Sequence, residues 1–260
     1  MRESEQQKGW VKSDKTLFLI IGVIHNLGRA GVTELAEASD LPKSTVHKHL
    51  KALESENYVI NNSGQYELGF KFLTFGGRVR DNNYLCRIAE SAVTKLRQTT
   101  DQNATFAIEQ GGLGIFTHID RTRYNINYLL LGEQFHLSTT AVGKAMLATL
   151  SDQEVVNSIE NHGLPRRTDE TITDQKKLQG ELETIRDQGY ALNMEERQEG
   201  IREVGTAISI PDHNILGGIS VAGPAHYLSE SALNGEYANA VLASADEIKL
   251  QIKHNNMNLR

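Results

Sequence analysis

Hydrophobic residues at helical spacing predict three consecutive helices near the start of the chain. Between residues 15 and 27, apolar side chains recur at i, i+3, i+4, i+7 and i+10, and Gly28 then ends this first helix. A short second helix is expected to begin at Thr33, a good N-cap residue. Pro42 suits the first position of a third helix, which extends to about Ser55.

The spacing across the second and third helices is typical of a helix-turn-helix. Ala36 is small enough for a close crossing of the two helices, and Asp40 tolerates the left-handed backbone of the turn between them. Two short strands, 58–60 and 66–68, are predicted around the polar turn 61–65, and they form a wing. These elements occur in the order that predicts a winged helix-turn-helix.

The third helix carries a basic outer face. Residues 41–53 contain no acid, and positive or hydrogen-bonding side chains there suit the phosphates and base edges of a major groove. We expect contacts with double-stranded DNA from this helix, the helix before it and the wing, through Thr33, Lys43, Ser44, Thr45, His47, Lys48, Lys51, Asn62 and Gln65. The alternatives are a solvated helix face and a small packing domain without a role in DNA binding.

Charge differs between the two parts of the chain. The net charge of -6 would count against a nucleic-acid partner, because phosphate contacts require positive charge. Residues 1–80, however, contain 11 Lys and Arg against 9 Asp and Glu, whereas residues 81–260 contain 16 against 24. The net charges are therefore +2 and -8. A weakly basic domain should need dimerisation to bind DNA tightly, with a marked dependence on salt.

The remaining composition is ordinary for a cytoplasmic protein without a membrane partner. No stretch reaches the roughly 20 apolar residues of a membrane-spanning helix, and the first residues do not resemble a signal peptide. The single cysteine, Cys86, excludes a disulfide framework within the chain and a zinc site with several cysteines.

The pattern beyond residue 78 predicts an α+β fold. A polar hinge at 78–84 should precede an amphipathic helix over 85–96, and the later elements alternate irregularly, which predicts an antiparallel sheet flanked by helices. The predicted strands are 105–109, 115–119, 126–131, 190–193, 204–210 and 216–221. Further helices are expected after the caps Ser138 or Thr139, Ser151 and Thr173, and from about Ser229.

Two features raise the question of ligand or metal chemistry. The helix start near 140–142 presents unpaired N–H groups that suit a small acid, although small residues there also permit close packing. Four acids, Glu195, Glu196, Glu199 and Glu203, suggest a metal site. Acids in a loop are more often solvated, and no histidine lies near them in sequence. We therefore expect no metal, no cofactor and no catalytic residue.

Segments along nearly the whole chain resemble the IclR-type bacterial and archaeal transcriptional regulators. They are residues 41–48 (LPKSTVHK), 66–69 (YELG), 139–145 (TTAVGKA), 189–191 (GYA), 195–202 (EERQEGIR) and 219–224 (ISVAGP). Their joint occurrence in this order makes the resemblance specific. It implies a winged helix-turn-helix domain at 1–77, a linker helix at 78–99, and a GAF-like effector-binding and oligomerisation domain at 100–260.

The resemblance also implies partners and an effector pocket. The partners are a DNA operator, a small organic effector and further copies of the chain in a homodimer or homotetramer. The pocket residues that carry over are Tyr124, Asn127, Ala141, Val142, Asn193, Ile201, Glu203, Ser220 and Ala222.

Three of these residues depart from the family's pattern. Asn193 stands where an acid is frequent, Glu203 where a cysteine or small residue is frequent, and Ala222 where a serine is frequent. The added carboxylate of Glu203 would repel an anionic ligand unless a cation or Arg202 neutralises it.

These observations predict a ligand-responsive transcriptional regulator, a repressor or an activator, of a metabolic or catabolic pathway. Effector binding would shift the spacing of paired DNA-binding domains. One alternative is a DNA-binding protein whose second domain only oligomerises and binds no ligand. The other is an enzyme that acts through the acidic loop.

Overall fold

A computed structural model of the chain describes residues 11–122, 129–210 and 215–258. Contacts divide the chain into two units, one ending at Val79 and the other beginning at Arg80. Within the described ranges, no helix is both long and apolar enough to cross a membrane.

The first unit is a winged helix-turn-helix, as predicted. Its elements are α1 (Lys12–Leu27), β1 (Ala30–Gly31), α2 (Val32–Ser39), α3 (Lys43–Ser55), β2 (Val59–Asn62) and β3 (Gln65–Leu68). The strands form an antiparallel sheet in the order β1-β3-β2. Apolar side chains from the helices and the hairpin share one core, which includes Ile20, Ile24, Leu35, Val46, Leu50, Leu53, Val59 and Tyr66.

The turn between α2 and α3 has the predicted geometry, but the start of α2 does not. Asp40 has a left-handed backbone with φ 52° and ψ 40°. Thr33 lies inside α2, so its prediction as N-cap is wrong. Gly31 precedes the helix instead, and its N–H donates to the Glu34 carboxylate at 2.7 Å. An acid at the third helical position thus satisfies the donor that begins the helix.

A helix, α4 (Lys71–Asn82), occupies most of the segment that we predicted as a polar hinge. Tyr58 packs edge-on against Phe72, with 5.1 Å between ring centroids, and stacks on Phe75 at 6.1 Å. Each of the two glycines within the helix lowers helix stability by about 1 kcal/mol, and these aromatic contacts offset that loss. The sequence pattern did not predict this helix because Tyr58, which stabilises it, lies outside the helix.

The second unit is an antiparallel sheet flanked by helices, which confirms the α+β class. Its strands are β4 (Asn103–Gln110), β5 (Leu113–Asp120), β6 (Gln134–His136), β7 (Ala191–Met194), β8 (Ile201–Ile210) and β9 (Ile215–Pro224), in the order β6-β5-β4-β9-β8-β7. Its helices are α5 (Tyr84–Thr100), α6 (Ala141–Ala148), α7 (Asp152–His162), α8 (Gln175–Gln188), α9 (Glu230–Ala232) and α10 (Ala238–Asn258).

Apolar layers cover both faces of this large sheet. Helices α5 and α10 share one core with strand residues such as Phe106 and Val221. Helices α6 and α8 share the other core with residues such as Ala107 and Ala191. Because side chains alternate along a strand, Phe106 and Ala107 point to opposite layers.

Two further predicted helix caps are wrong. Helix α6 begins after Thr140, whose hydroxyl accepts from the backbone at 2.9 Å, and not after Ser138 or Thr139, which lie in a 3-10 turn. Helix α8 begins after Asp174 rather than after Thr173, because the Asp174 carboxylate reaches the third backbone N–H of the helix. A residue of the right type one position away supplies the cap in each case.

The predicted cap at Ser151 is confirmed and forms a capping box, since the Glu154 carboxylate accepts from Ser151 N at 2.8 Å. The strand predicted at 126–131 lies partly outside the described residues, and 129–131 is not a strand. The helix predicted from Ser229 is divided, because a π-helical turn separates α9 from α10.

Candidate functional site

The outer side of α3 is an exposed basic surface, here called the α3 face. It consists of the predicted DNA-contact residues Lys43, Ser44, His47, Lys48 and Lys51, while Thr45 beside them is half-buried. Lys51 forms an ion pair with Glu54 at 3.2 Å. Lys43 and Lys48 form no ion pair with any other described residue. Their ammonium groups are therefore available to an external anion.

The other predicted DNA-contact residues lie at the start of α2 and in the wing. Thr33 is exposed, and Gln65 lies opposite Gly31, the residue that precedes α2. Asn62 lies opposite Gln65 in the hairpin and donates its amide to the Glu67 carboxylate at 2.7 Å. The small sheet thus places the turn end of the wing beside the start of α2.

In the second unit, the strand register brings the three unusual pocket residues together. Asn193 of β7 lies opposite Glu203 of β8, which in turn lies opposite Ala222 of β9. Directly opposed residues of antiparallel strands point to the same face of a sheet. These three residues therefore form one row, here called the cavity row.

A second row lies two residues further along the same strands. Ser220 of β9 faces Gly205 of β8 and Thr105 of β4, and the hydroxyls of Ser220 and Thr105 are 2.7 Å apart. A Cβ at Gly205 would lie 2.8 Å from the backbone nitrogen of Val142. The missing side chain therefore allows the start of α6 to approach the sheet closely.

The rows and the start of α6 border a cavity, here called the sheet cavity. Its enclosed volume is about 10 Å³, room for about one water molecule, and it opens to solvent. It is lined by Thr105, Phe116, Leu129, Thr140, Asn193, Arg197, Gln198, Ile201, Glu203 and Ala222.

Four of the predicted ligand-binding residues, Asn193, Ile201, Glu203 and Ala222, line this cavity. Three others, Ala141, Val142 and Ser220, are fully buried in the same unit but are not part of the lining. Tyr124 and Asn127 lie outside the described residues.

The carboxylate of Glu203 is bound to the start of α6. Its Oε2 accepts a hydrogen bond from Ala141 N at 2.9 Å, and the residue is only 7% exposed. The positive end of the helix dipole stabilises a negative group in this position. Arg202, the expected neutralising partner, instead pairs with Glu195 at 3.3 Å and donates to the carbonyl of Leu228.

Arg197 is a cavity residue that sequence reasoning missed. Its Nη2 pairs with the Glu133 carboxylate at 2.6 Å, and its guanidinium carbon lies 5.2 Å from the ring centroid of Phe116. Its buried Nη1 has no hydrogen-bond partner among the described residues. The residue belongs to the segment 195–202 that supports the resemblance, but an irregular loop gives no periodicity that would show which side chain faces inward.

Comparison with known families assigns both units. A family model for the IclR helix-turn-helix domain matches residues 17–62, and one for the C-terminal region of the bacterial transcriptional regulator IclR matches residues 78–250. The chain belongs to the IclR family. It is thus a member of a family of transcriptional regulators, with the DNA-binding domain first.

Known relatives of this IclR-family chain align over most of its length. The transcriptional regulator KdgR of Escherichia coli is 28% identical over 247 residues, covering 92% of this chain and 93% of the relative. The transcriptional repressor AllR of Salmonella paratyphi A is 26% identical, covering 88% and 85%. The crystal structure of IclR from Thermotoga maritima is 28% identical, with a TM-score of 0.77 over 91% of this chain and 97% of that one.

A buried ion cluster supports α6 beside the cavity. Lys144, in the segment 139–145, is fully buried, and its Nζ lies 2.6 Å from Glu196 and 3.0 Å from Glu181. Glu196 N donates to the side-chain oxygen of Asn193, which connects the cluster to the cavity row. Burial raises the pKa of the Glu196 carboxyl above its ordinary value, and the nearby ammonium group opposes this shift.

The acidic loop is only partly solvated, so the expectation of a solvated cluster is wrong for Glu196 and Glu203. Glu195 pairs with Arg202, and Glu199 is exposed. Across the described ranges, no group of three or more His, Cys, Asp or Glu side chains is placed to hold a metal ion. Three of the four acids, Glu195, Glu196 and Glu203, have structural partners that the sequence pattern did not reveal.

Proposed function

We propose that this IclR-family chain is a ligand-responsive regulator of a metabolic or catabolic pathway, and that a small organic effector in the sheet cavity changes its affinity for an operator. The observation that carries the proposal is the sheet cavity itself. Ligand sites are concave, largely apolar, and contain a few converging polar groups. Here Phe116, Leu129 and Ile201 supply apolar walls, while Asn193 and Glu203 supply polar groups.

Operator binding is assigned to the α3 face. An exposed stripe of Lys, Ser and His on the second helix of a helix-turn-helix has the chemistry to contact phosphates and base edges in a major groove. Lys43 and Lys48 are the strongest candidates for phosphate contacts, because neither is held in an ion pair by the described residues. Lys51 would first have to leave Glu54.

We further propose that the active form is a homodimer or homotetramer. Exposed apolar side chains on α1 and α4, including Phe18, Leu73 and Val79, support association of copies. Dimerisation also joins two weakly basic domains on one DNA site, which raises their combined affinity. Light scattering at micromolar concentration tests this proposal, and a monomer that still binds DNA specifically would contradict it.

The direct test is a gel shift on the intergenic DNA beside the chain's own gene, with and without metabolites of the neighbouring pathway. We expect a discrete complex whose midpoint concentration changes when one of those metabolites is added. The same metabolite should raise the melting temperature of the protein alone. A complex that responds to none of them, together with no thermal stabilisation by any of them, would favour a second domain that only oligomerises.

A further inference from the structure

Of the first three backbone donors of α6, two are bonded within the chain and the third is covered by the sheet. Ala141 N donates to Glu203 and Gly143 N to the hydroxyl of Thr140, each at 2.9 Å. Val142 is fully buried, and its nitrogen faces the backbone at Gly205, where even a Cβ would come within 2.8 Å. A helix start normally attracts anions through these groups. An external carboxylate therefore finds no accessible donor at this helix start.

Glu203 instead presents an acceptor to the cavity. Only its Oε2 forms a hydrogen bond with the described residues, while the side chain lines the cavity. A buried carboxylate oxygen is stabilised when a donor reaches it, and hydrogen bonds to a charged group are stronger than neutral ones. A ligand that carries hydroxyl groups can donate a hydrogen bond to the second carboxylate oxygen of Glu203.

The charges around the cavity also disfavour a simple acid. Arg197 and Glu203 are the charged residues of the described lining, and the guanidinium of Arg197 is already paired with Glu133. Glu203 has no ion pair among the described residues, so a monocarboxylate ligand would place a second unpaired negative charge beside it. The unpartnered Nη1 of Arg197 needs only an acceptor oxygen, which a neutral hydroxyl provides.

We infer that the sheet cavity selects a neutral, hydroxyl-rich small molecule, such as a polyol or sugar, and discriminates against unhydroxylated carboxylates. Hydroxyl groups of the ligand donate to Glu203 and accept from Arg197, and a hydrocarbon face packs against Phe116. This inference rests on the proposed function, because it assumes that the cavity is the effector site and that its walls move apart to admit a ligand.

The test uses six-carbon probes that differ in one property at a time. Glucitol and further hexitols and hexoses are neutral and hydroxylated, gluconate is hydroxylated and anionic, and hexanoate is anionic without hydroxyls. Calorimetry on the full-length protein should show binding of at least one neutral hydroxylated probe and none of hexanoate. Gluconate should bind more weakly than its neutral counterpart.

The variant Glu203→Ala should invert this preference. It frees Ala141 N and removes the negative charge, so we expect it to bind the neutral probe about 10- to 100-fold more weakly and to gain measurable affinity for hexanoate. Glu199→Ala is the matched control, since it removes an exposed acid four residues before Glu203 and should retain the wild-type preference. Circular dichroism establishes that each variant is folded.

The outcomes separate this inference from the proposed function. If the wild type binds hexanoate or another unhydroxylated acid more tightly than every neutral hydroxylated probe, the inference is overturned while the effector site stands. The same holds if Glu203→Ala leaves the preference unchanged. If no probe binds to either protein and no metabolite alters the gel shift, both fail.

Discussion

Replacing the buried Lys144 by methionine should strongly destabilise the second unit. Methionine has a similar volume, so the variant isolates the lost charge rather than a new cavity. Glu196, whose side chain is 8% exposed, would lose an ammonium group 2.6 Å away. Removal of one partner from a buried ion pair costs about 3–5 kcal/mol. In a unit of this size, that loss corresponds to a fall in Tm of about 6–20 °C.

An exposed pair of nearly equal length provides the matched control. Lys95 and Glu247 are 2.7 Å apart, but their side chains are 66% and 41% exposed. Such a pair contributes about 0–1 kcal/mol, so Lys95→Met should change Tm by only a few degrees. Thermal and urea unfolding, followed by circular dichroism, measure both variants. Adding Glu196→Gln to Lys144→Met should restore part of the loss, because no unpaired buried charge then remains.

Equal losses for the two lysines would refute this reasoning. Burial would then have no effect on the free energy of breaking the pair. If the double variant is no more stable than Lys144→Met, the loss of stability comes from altered packing and not from the unpaired charge.

Three further predictions concern other parts of the chain. Lys48→Ala should weaken operator binding and reduce the slope of log K against log salt by about one, while Lys253→Ala, exposed on α10, should leave both unchanged in a fluorescence-anisotropy titration. Gly143→Ala should destabilise the protein because its Cβ would meet backbone atoms, whereas a Cβ at Gly180 meets open space, so Gly180→Ala should stabilise α8 by about 0.5–1 kcal/mol. Calorimetry that ranks the stabilities of the two variants in the opposite order would contradict this. In the folded protein the pKa of Glu196 is raised above its ordinary value of 4.5, so the free energy of unfolding should fall as the pH rises from 4.5 through the raised pKa. Urea unfolding at a series of pH values measures this fall, which should be smaller in Glu196→Gln than in the wild type.

Sequence patterns predicted those elements that bury one face and expose the other. Helix α5 was expected over 85–96 and extends over Tyr84–Thr100, because its buried residues recur with helical spacing. The left-handed turn at Asp40 was predicted as well, since few residue types tolerate that backbone. In both cases the residues of the element itself determine its geometry, so the local sequence is enough to predict it.

Features that depend on distant partners were not predictable in the same way. All of α6 is buried, so it has no polar stripe that would mark Lys144 as an inward-facing cation. Its partners Glu181 and Glu196 lie 37 and 52 residues away in sequence. Arg197 was missed for the same reason, because its contacts to Glu133 and Phe116 exist only once strands and loop have come together.

The cavity row also has an evolutionary consequence. Glu203 and Ala222 are direct cross-strand neighbours, with Cβ atoms about 5 Å apart in such pairs. A larger side chain at position 222 would press on the Glu203 carboxylate and displace it from Ala141. If the sheet cavity is the effector site, as we propose, a change of effector requires paired exchanges at these two positions, which are 19 residues apart in sequence. Laboratory selections that randomise 203 and 222 together should recover specificities that single-site scans never reach.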